Sequence, residues 1–465
     1  MNATEVSLLD AAELVRGVSY KREEARSKPA QGLVPIVRAT NIQDGHLVLD
    51  DLVYVPSSRV SEQQRIRRGD IVFAMSSGSR DVVGKAALAL TDVGAGFGAF
   101  CGVLRARPGT RADWLAHYMR SPLYRRAIDR VATGTNINNL SKSTLAAIDV
   151  PSMSEREQAE ISTVLTSAEG AGSRAVEHLD DAKRALDQFR LSVLAAACSG
   201  RLTADWRART SPSESAAALI ARSEAIVRSN ATRRAVDGEW SPPDWLEIPD
   251  TWQWAPTRSL AFIKGGIQKQ PKRAPKANSY PYLRVANVLR GRLDLSVIHD
   301  FELFANELAT YRLEAGDLLV VEGNGSGNEI GRAAIWRGEV DDCVHQNHII
   351  RVRSIAADPD FLALFWNSPI GAREIASLAV TSAGLYSLST KKIGSVPIPV
   401  APLDEQREIV RRTTTMLALA DAVLSSVESA RRRIERSLQA ILAKAFRGES
   451  SLPSVIESAE QSVAG

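Results

Sequence analysis

Four short stretches of this sequence carry residue types that could do chemistry. A phosphate-binding loop needs two glycines with four residues between them, a Lys for the phosphates and a Ser or Thr for magnesium. GSRDVVGKA (78–86) puts five residues before Gly84–Lys85 and has Ala86 where the hydroxyl belongs. VVEGNGSGNEIG (320–331) is Gly-rich after a strand-like run, but G-x-G-x-x-G does not fit it. SPPDW (241–245) comes close to a tetrapeptide of amino-methyltransferases, with Asp244 in place of its final aromatic. HQNH (345–348) holds two of the six histidines, which an extended run points to opposite faces, so no metal site is expected. No helicase or nuclease motif is present, which assigns any catalysis to partners. KGGIQKQPKRAPK (264–276) has Lys264, Lys269, Lys272, Arg273 and Lys276 without an acid, which suits phosphate contact or a solvated loop.

The elements that would position these residues are written twice. PSMSEREQAEI (151–161) and PLDEQREIV (402–410) share a Pro, a polar run and Glu-Gln-x-Glu-Ile, 248 residues apart. At offsets of 246 to 248, VPIVRATNIQDGHL (34–47) matches YPYLRVANVLRGRL (280–293), sharing Arg38 with Arg284 and Asn41 with Asn287. RGDIVF (68–73) matches AGDLLV (315–320), VGKAAL (83–88) matches IGRAAI (330–335), and VLAAACSG (193–200) matches ILAKAFRG (441–448). A nearly constant offset means a duplicated unit, not a solenoid. Each copy runs from short strand-like segments through a Pro to a helix, opened by Ser154 or Asp404 with acids in the first turn.

The chain has 465 residues, 44% hydrophobic and 24% charged, enough for two to four folded domains. No apolar run approaches a membrane span, and the N-terminus has no basic stretch before an apolar core, so no secretory signal is expected. Cys101, Cys198 and Cys343 lie far apart, which fits a reducing cytoplasm better than a disulfide framework. A net charge of +4 leans weakly toward nucleic acid.

Two heptad seams are the clearest pattern. Leu417, Ala420, Leu424, Val427, Arg431, Ile434, Leu438, Ile441 and Ala445 keep a 3-4 spacing. Val176, Leu179, Lys183, Leu186, Arg190, Val193 and Ala197 follow it less purely. Lys183 and Arg431 interrupt the seams at the same aligned place, as side chains that reach outward or fix register. Each seam covers about 29 residues, roughly 43 Å of helix. With no third such helix, the two are expected to pair antiparallel within the chain.

Two globular units, each followed by a Pro, a Glu-Gln-x-Glu-Ile start and a long heptad helix, resemble the specificity subunit of type I restriction–modification enzymes. LEIPDTWQWAPTRSLAFIKGG (246–266), with Pro249, Trp252 and Trp254, is similar to that family's lead into a target recognition domain. SLLDAAELVRG (7–17) lacks the Pro-x-x-Trp-x-Trp, so the first copy's edge is expected to be trimmed. The resemblance implies an α+β fold of two tandem recognition domains whose helices pair as an antiparallel coiled coil with internal pseudo-twofold symmetry. Its implied divisions are recognition domains at 1–151 and 246–397, helical spacers at 152–200 and 398–448, a linker at 201–245 and a disordered tail at 449–465.

The function it implies is DNA recognition without catalysis, in the cytoplasm. Each domain reads one half of a split target, and the helices set the gap and dock two methyltransferase subunits. Those subunits would use S-adenosylmethionine on adenine N6. Motor–nuclease subunits, with ATP and magnesium, would join for restriction. Within the recognition regions, side chains suited to phosphate or base edges are Ser76, Ser77, Ser79 and Arg80, then Thr135, Asn136, Asn138 and Lys142. The second copy offers Gln268, Lys269, Lys272 and Arg273, then Asn324, Ser326 and Asn328, then Tyr386 and Lys391. Gly, Ser and Asn are equally ordinary turn formers. Arg38, Asn41, Arg284 and Asn287 recur, which suits packing, partner docking or phosphate contact better than the reading of different bases. A stand-alone enzyme is disfavoured by the missing motifs. A DNA-binding scaffold of another phage-defence system, built on the same subunit, is the alternative.

Overall fold

The computed structural model describes residues 5–131, 139–230, 240–324, 329–382 and 385–447. The chain divides into an N-terminal unit, Met1–Asp181 with Val427–Gly465, and a central unit, Ala182–Ser426. The expected tail, 449–465, lies outside the described residues.

Both units are built on the same antiparallel four-stranded sheet. In the N-terminal unit the strand order is Ala12–Arg16, Cys101–Ala106, Ile71–Ala74, Ala86–Leu88. In the central unit it is Ala261–Gly265, Ile349–Ser354, Asp317–Val321, Ala333–Ile335. The strand at 71–74 is apolar without alternation because both its faces are covered. Ile71 and Phe73 pack with Trp114, Tyr118 and Leu104, while Val72 and Ala74 pack with Val37, Phe97 and Val103. Leu318 and Val320 join one core of the central unit and Leu319 and Val321 the other. Each central strand opens on a buried ion pair at the same aligned place, Asp70 with Arg105 at 2.9 Å and Asp317 with Arg353 at 2.7 Å.

Gly84 and Gly331 explain the shared Val/Ile-Gly. Both have positive φ, +84° and +67°, and a Cβ would come within 2.1 Å of Ile128 or 2.5 Å of Ile375. Each unit also pairs a lead-in strand with the strand before its helix: Glu5–Ser7 with Asp149–Pro151, and Gln253–Pro256 with Pro397–Val400. The first copy thus lacks the tryptophans of the lead-in but keeps its strand.

The long helices are Glu155–Cys198 and Leu403–Ala445, of 44 and 43 residues, or about 65 Å each. They exceed the seams read from sequence because their first turns serve the sheet domains. Ile161 and Leu165 enter the N-terminal core and Ile409 the central core. The Gln of the repeated motif has one job in both places. Gln158 Oε1 accepts from Arg111 N at 2.7 Å and Gln406 Oε1 from Asp358 N at 2.8 Å, at the N-caps of helices Ala112–Arg120 and Pro359–Asn367. The Glu before it does not. Glu157 closes an exposed capping box with Ser154. Glu405 is 1% exposed and accepts from Thr203 Oγ1 at 2.7 Å and Trp252 Nε1 at 2.9 Å while pairing with Arg207.

Helix pairing is antiparallel. Within the N-terminal unit Gly172 lies under Leu438, and Asp180 pairs with Arg431 at 2.9 Å. Within the central unit Arg190 pairs with Asp421. Val193 and Ile441 are buried, and Val176, Leu179, Leu186, Leu424, Val427, Ile434 and Leu438 are half-buried. Arg431 reaches out of the seam to its carboxylates, and Lys183 is exposed. The end of each helix is also core: Ala197 and Cys198 in the central unit, Ala445 and Phe446 in the N-terminal one, where Phe446 meets Trp114 and Tyr118. The expected linker carries helices Ala204–Arg207 and Ala216–Asn230, the latter packing Leu219 and Ile220 on the central core.

Candidate nucleic-acid interface

Three segments meet at the end of the central strand in each unit, held by equivalent main-chain hydrogen bonds. In the N-terminal unit Met75 N donates to Phe100 O at 2.9 Å, and Leu140 N donates to Met75 O at 2.7 Å. In the central unit Glu322 N donates to His348 O at 2.9 Å, and Leu388 N donates to Glu322 O at 2.7 Å. These bonds join the loop after the strand, a tight turn, and the segment before a short helix. Two of the segments singled out in the sequence therefore adjoin in both copies: Ser76 bridges to Asn139, and Asn324 pairs with Tyr386.

The candidates differ in how free they are. Ser76 and Ser77 are half-buried, and Ser79 and Arg80 are exposed, with Arg80 Nη2 donating to Asp129 Oδ1 at 3.0 Å. Lys142 is exposed on the first turn of Lys142–Ala146, which Ser141 caps, and Lys391 is exposed on Thr390–Ser395, which Ser389 caps. Thr135, Asn136, Asn138, Ser326 and Asn328 lie outside the described residues. Gln268 and Lys269 are exposed beside the turn, since Ile267 bridges to Gln346. In the basic loop Lys272 is exposed over the ring of Phe304, at 5.7 Å. Arg273 is not a free cation: it forms a two-point ion pair with Glu307 at 2.7 and 2.8 Å and lies over Phe304, at 4.5 Å. Its side chain is 10% exposed.

The recurring asparagines close a loop in both copies. Asn41 Oδ1 accepts from Arg38 N at 2.9 Å, and its Nδ2 donates to Val48 O and Asp50 O. Asn287 accepts from Arg284 N at 2.8 Å and donates to Asp294 O and Val297 O. A buried amide that satisfies three backbone groups closes the loop after it. Arg38 also pairs with Asp51 at 3.0 Å.

At the centre lies a turn that the sequence marks only through the histidines of HQNH (345–348). It comprises 98–101 and 346–349, closed by Cys101 N to Gly98 O and by Ile349 N to Gln346 O, each at 2.8 Å. Its middle residues are Ala99 and Phe100 in one copy and Asn347 and His348 in the other. His348 Nδ1 lies 3.2 Å from Glu322. The aligned spacing of GAFC against QNHI was the available signal.

Among the described residues no cluster of His, Cys, Asp and Glu could hold a metal ion, and no helix is long and apolar enough to cross a membrane. The three cysteines are free and buried, and burial pushes each thiol up to about 12, far from a reactive thiolate.

No protein-family model matches the chain. It is 32% identical over 438 residues to the type I restriction enzyme EcoKI specificity subunit of Escherichia coli (strain K12), covering 94% of this chain and 86% of the relative. It is 33% identical over 439 residues to the type I restriction enzyme StySPI specificity subunit of Salmonella potsdam, with the same coverage. Its fold is similar to that of a chain solved in work on complex assembly and conformational transition of the type I R-M system, with a TM-score of 0.62, 17% identity and coverage of 94% and 98%. The HsdS subunit from Thermoanaerobacter tengcongensis gives a TM-score of 0.51 at 17% identity, covering 94% of this chain and 97% of that one.

Proposed function

We propose that this chain, which belongs to the specificity subunits of type I restriction enzymes, reads one half of a split DNA target with each of its two sheet domains. The observation that carries this is the doubled loop cluster. The main-chain hydrogen bonds are the same in both copies, and the side chains they present differ, as two readers of different half-sites require. Arg80, Lys142, Gln268, Lys269, Lys272 and Lys391 supply phosphate or base contacts around it. The paired helices set the gap between the half-sites and dock two methyltransferase subunits.

The chain itself carries out no catalysis. Methyl transfer from S-adenosylmethionine to adenine N6 belongs to the docked subunits. Cleavage, with ATP and magnesium, belongs to motor–nuclease subunits, and the complex works in the cytoplasm. The test is methylome sequencing of cells that express the chain with its methyltransferase subunit, against cells without the chain. A split adenine-methylated motif that disappears with the chain supports the reading. A stable complex with no such motif favours the scaffold alternative.

A further inference from the structure

Phe100 is 69% exposed, and Ala99 beside it is exposed too. A lone exposed Phe is ordinary on a protein surface. What sets this one apart is how firmly and where it is held. Its carbonyl accepts from Met75 N and from Ser76 N, at 2.9 and 3.1 Å, and the turn is closed by Cys101 N. Gly98 N donates to Val37 O at 2.9 Å, and Gly17 presses on the turn so closely that a Cβ there would lie 2.1 Å from Gly98 O. The aligned turn has the same anchors: Gln346 N to Leu283 O at 2.9 Å, and Gly266 against His345 O. A main chain fixed this tightly, presenting two side chains that differ between copies, is a rigid display of the kind that base readout needs.

We infer that the turn 98–101 is a base-reading element and that Phe100, with Ala99, contacts a thymine 5-methyl group in the half-site of the N-terminal domain. This rests on the proposed DNA-reading role. The chemistry follows from the residue types. Ala and Phe offer no hydrogen bond, and the thymine methyl is the one apolar feature of the major-groove edges, for which both are suited partners. The aligned Asn347 and His348 can hydrogen-bond, and His348 is steadied by Glu322, so the same turn in the central domain reads a base by polar contact.

The test uses the chain in complex with its methyltransferase subunits. It also uses duplexes of the methylated motif in which each thymine of the half-site is replaced in turn by uracil, which lacks only the methyl. The wild-type complex should lose affinity at one position by about fourfold, the value of one buried methyl-sized group. Phe100→Ala should lose a similar factor on the thymine duplex and show no further loss with uracil at that position. Its melting temperature should stay within about 2 °C of wild type, because the ring is exposed. Unchanged affinity in Phe100→Ala, or a uracil penalty that persists undiminished in it, overturns the inference while the split motif stands. A wild-type complex that methylates no split motif overturns the DNA-reading role and the inference with it.

Discussion

Glu405 and Glu157 occupy the same letter of a repeated motif, and their substitution should have opposite weight. Glu405 is 1% exposed and satisfies three donors, from Thr203, Trp252 and Arg207. Glu405→Ala strands the Arg207 guanidinium, the Trp252 indole N–H and the Thr203 hydroxyl. Removing one partner of a buried pair costs about 3–5 kcal/mol. Arg207 keeps its bond to Gly200 O at 2.9 Å, and its side chain is 20% exposed, so the low end applies, about 3 kcal/mol. At about 2–3 kcal/mol per molar urea, the unfolding midpoint of the central unit should fall by about 1 M. Tryptophan fluorescence suits the assay, since seven of the eight tryptophans lie within 182–426 and only Trp114 outside. Glu157→Ala loses an exposed capping box in the N-terminal unit and should move that unit's midpoint, followed through Trp114, several-fold less. Equal shifts for the two variants would refute the assigned role of Glu405.

The basic loop should separate into two effects. Lys272→Ala lowers the salt slope of DNA binding by about 1, whereas Arg273→Ala lowers the melting temperature by releasing Glu307, and a salt slope untouched by Lys272→Ala removes the loop from the interface. His345 should make the central unit acid-sensitive. Burial holds its imidazole at about 4 against an ordinary 6.5, beside Arg351 and Asp317. The unfolded chain then binds more protons in that window, so stability is full above about 6.5 and declines as pH falls toward 4, by up to about 3 kcal/mol. His345→Phe, the residue at the aligned position Phe97, should flatten this part of the pH dependence, and identical urea midpoints against pH for both proteins would count against it. Leu186→Asp with Ile434→Asp puts a carboxylate into each half-buried seam and should abolish cooperative unfolding; a soluble double variant with a wild-type transition would contradict the pairing.

The fold was legible wherever a local pattern repeats. The aligned Gln158 and Gln406, and Gly84 and Gly331, do the same work twice. What stayed hidden depends on partners remote in sequence. Arg273 reads as a free cation because no acid lies near it in the chain, yet Glu307 arrives from a helix 34 residues on. The burial of Glu405 depends on Thr203 and Arg207, about 200 residues earlier in the chain. Phe100 is inconspicuous in the sequence because charge and hydrogen-bonding capacity mark DNA contacts, and an apolar side chain has neither.

The core of the N-terminal unit contains Ile441, Leu442, Ala445 and Phe446, next to Trp114 and Tyr118. On a ribosome, those aromatic rings would emerge some 300 residues before the segment that covers them. At roughly 5–20 residues per second, that is a wait of about 15–60 s. The central unit, Ala182–Ser426, is continuous and all of it has been made before the chain returns to the N-terminal unit at Val427. The part of the protein made first is therefore the last to be finished, and its exposed core during that interval is where chaperones would be expected to bind.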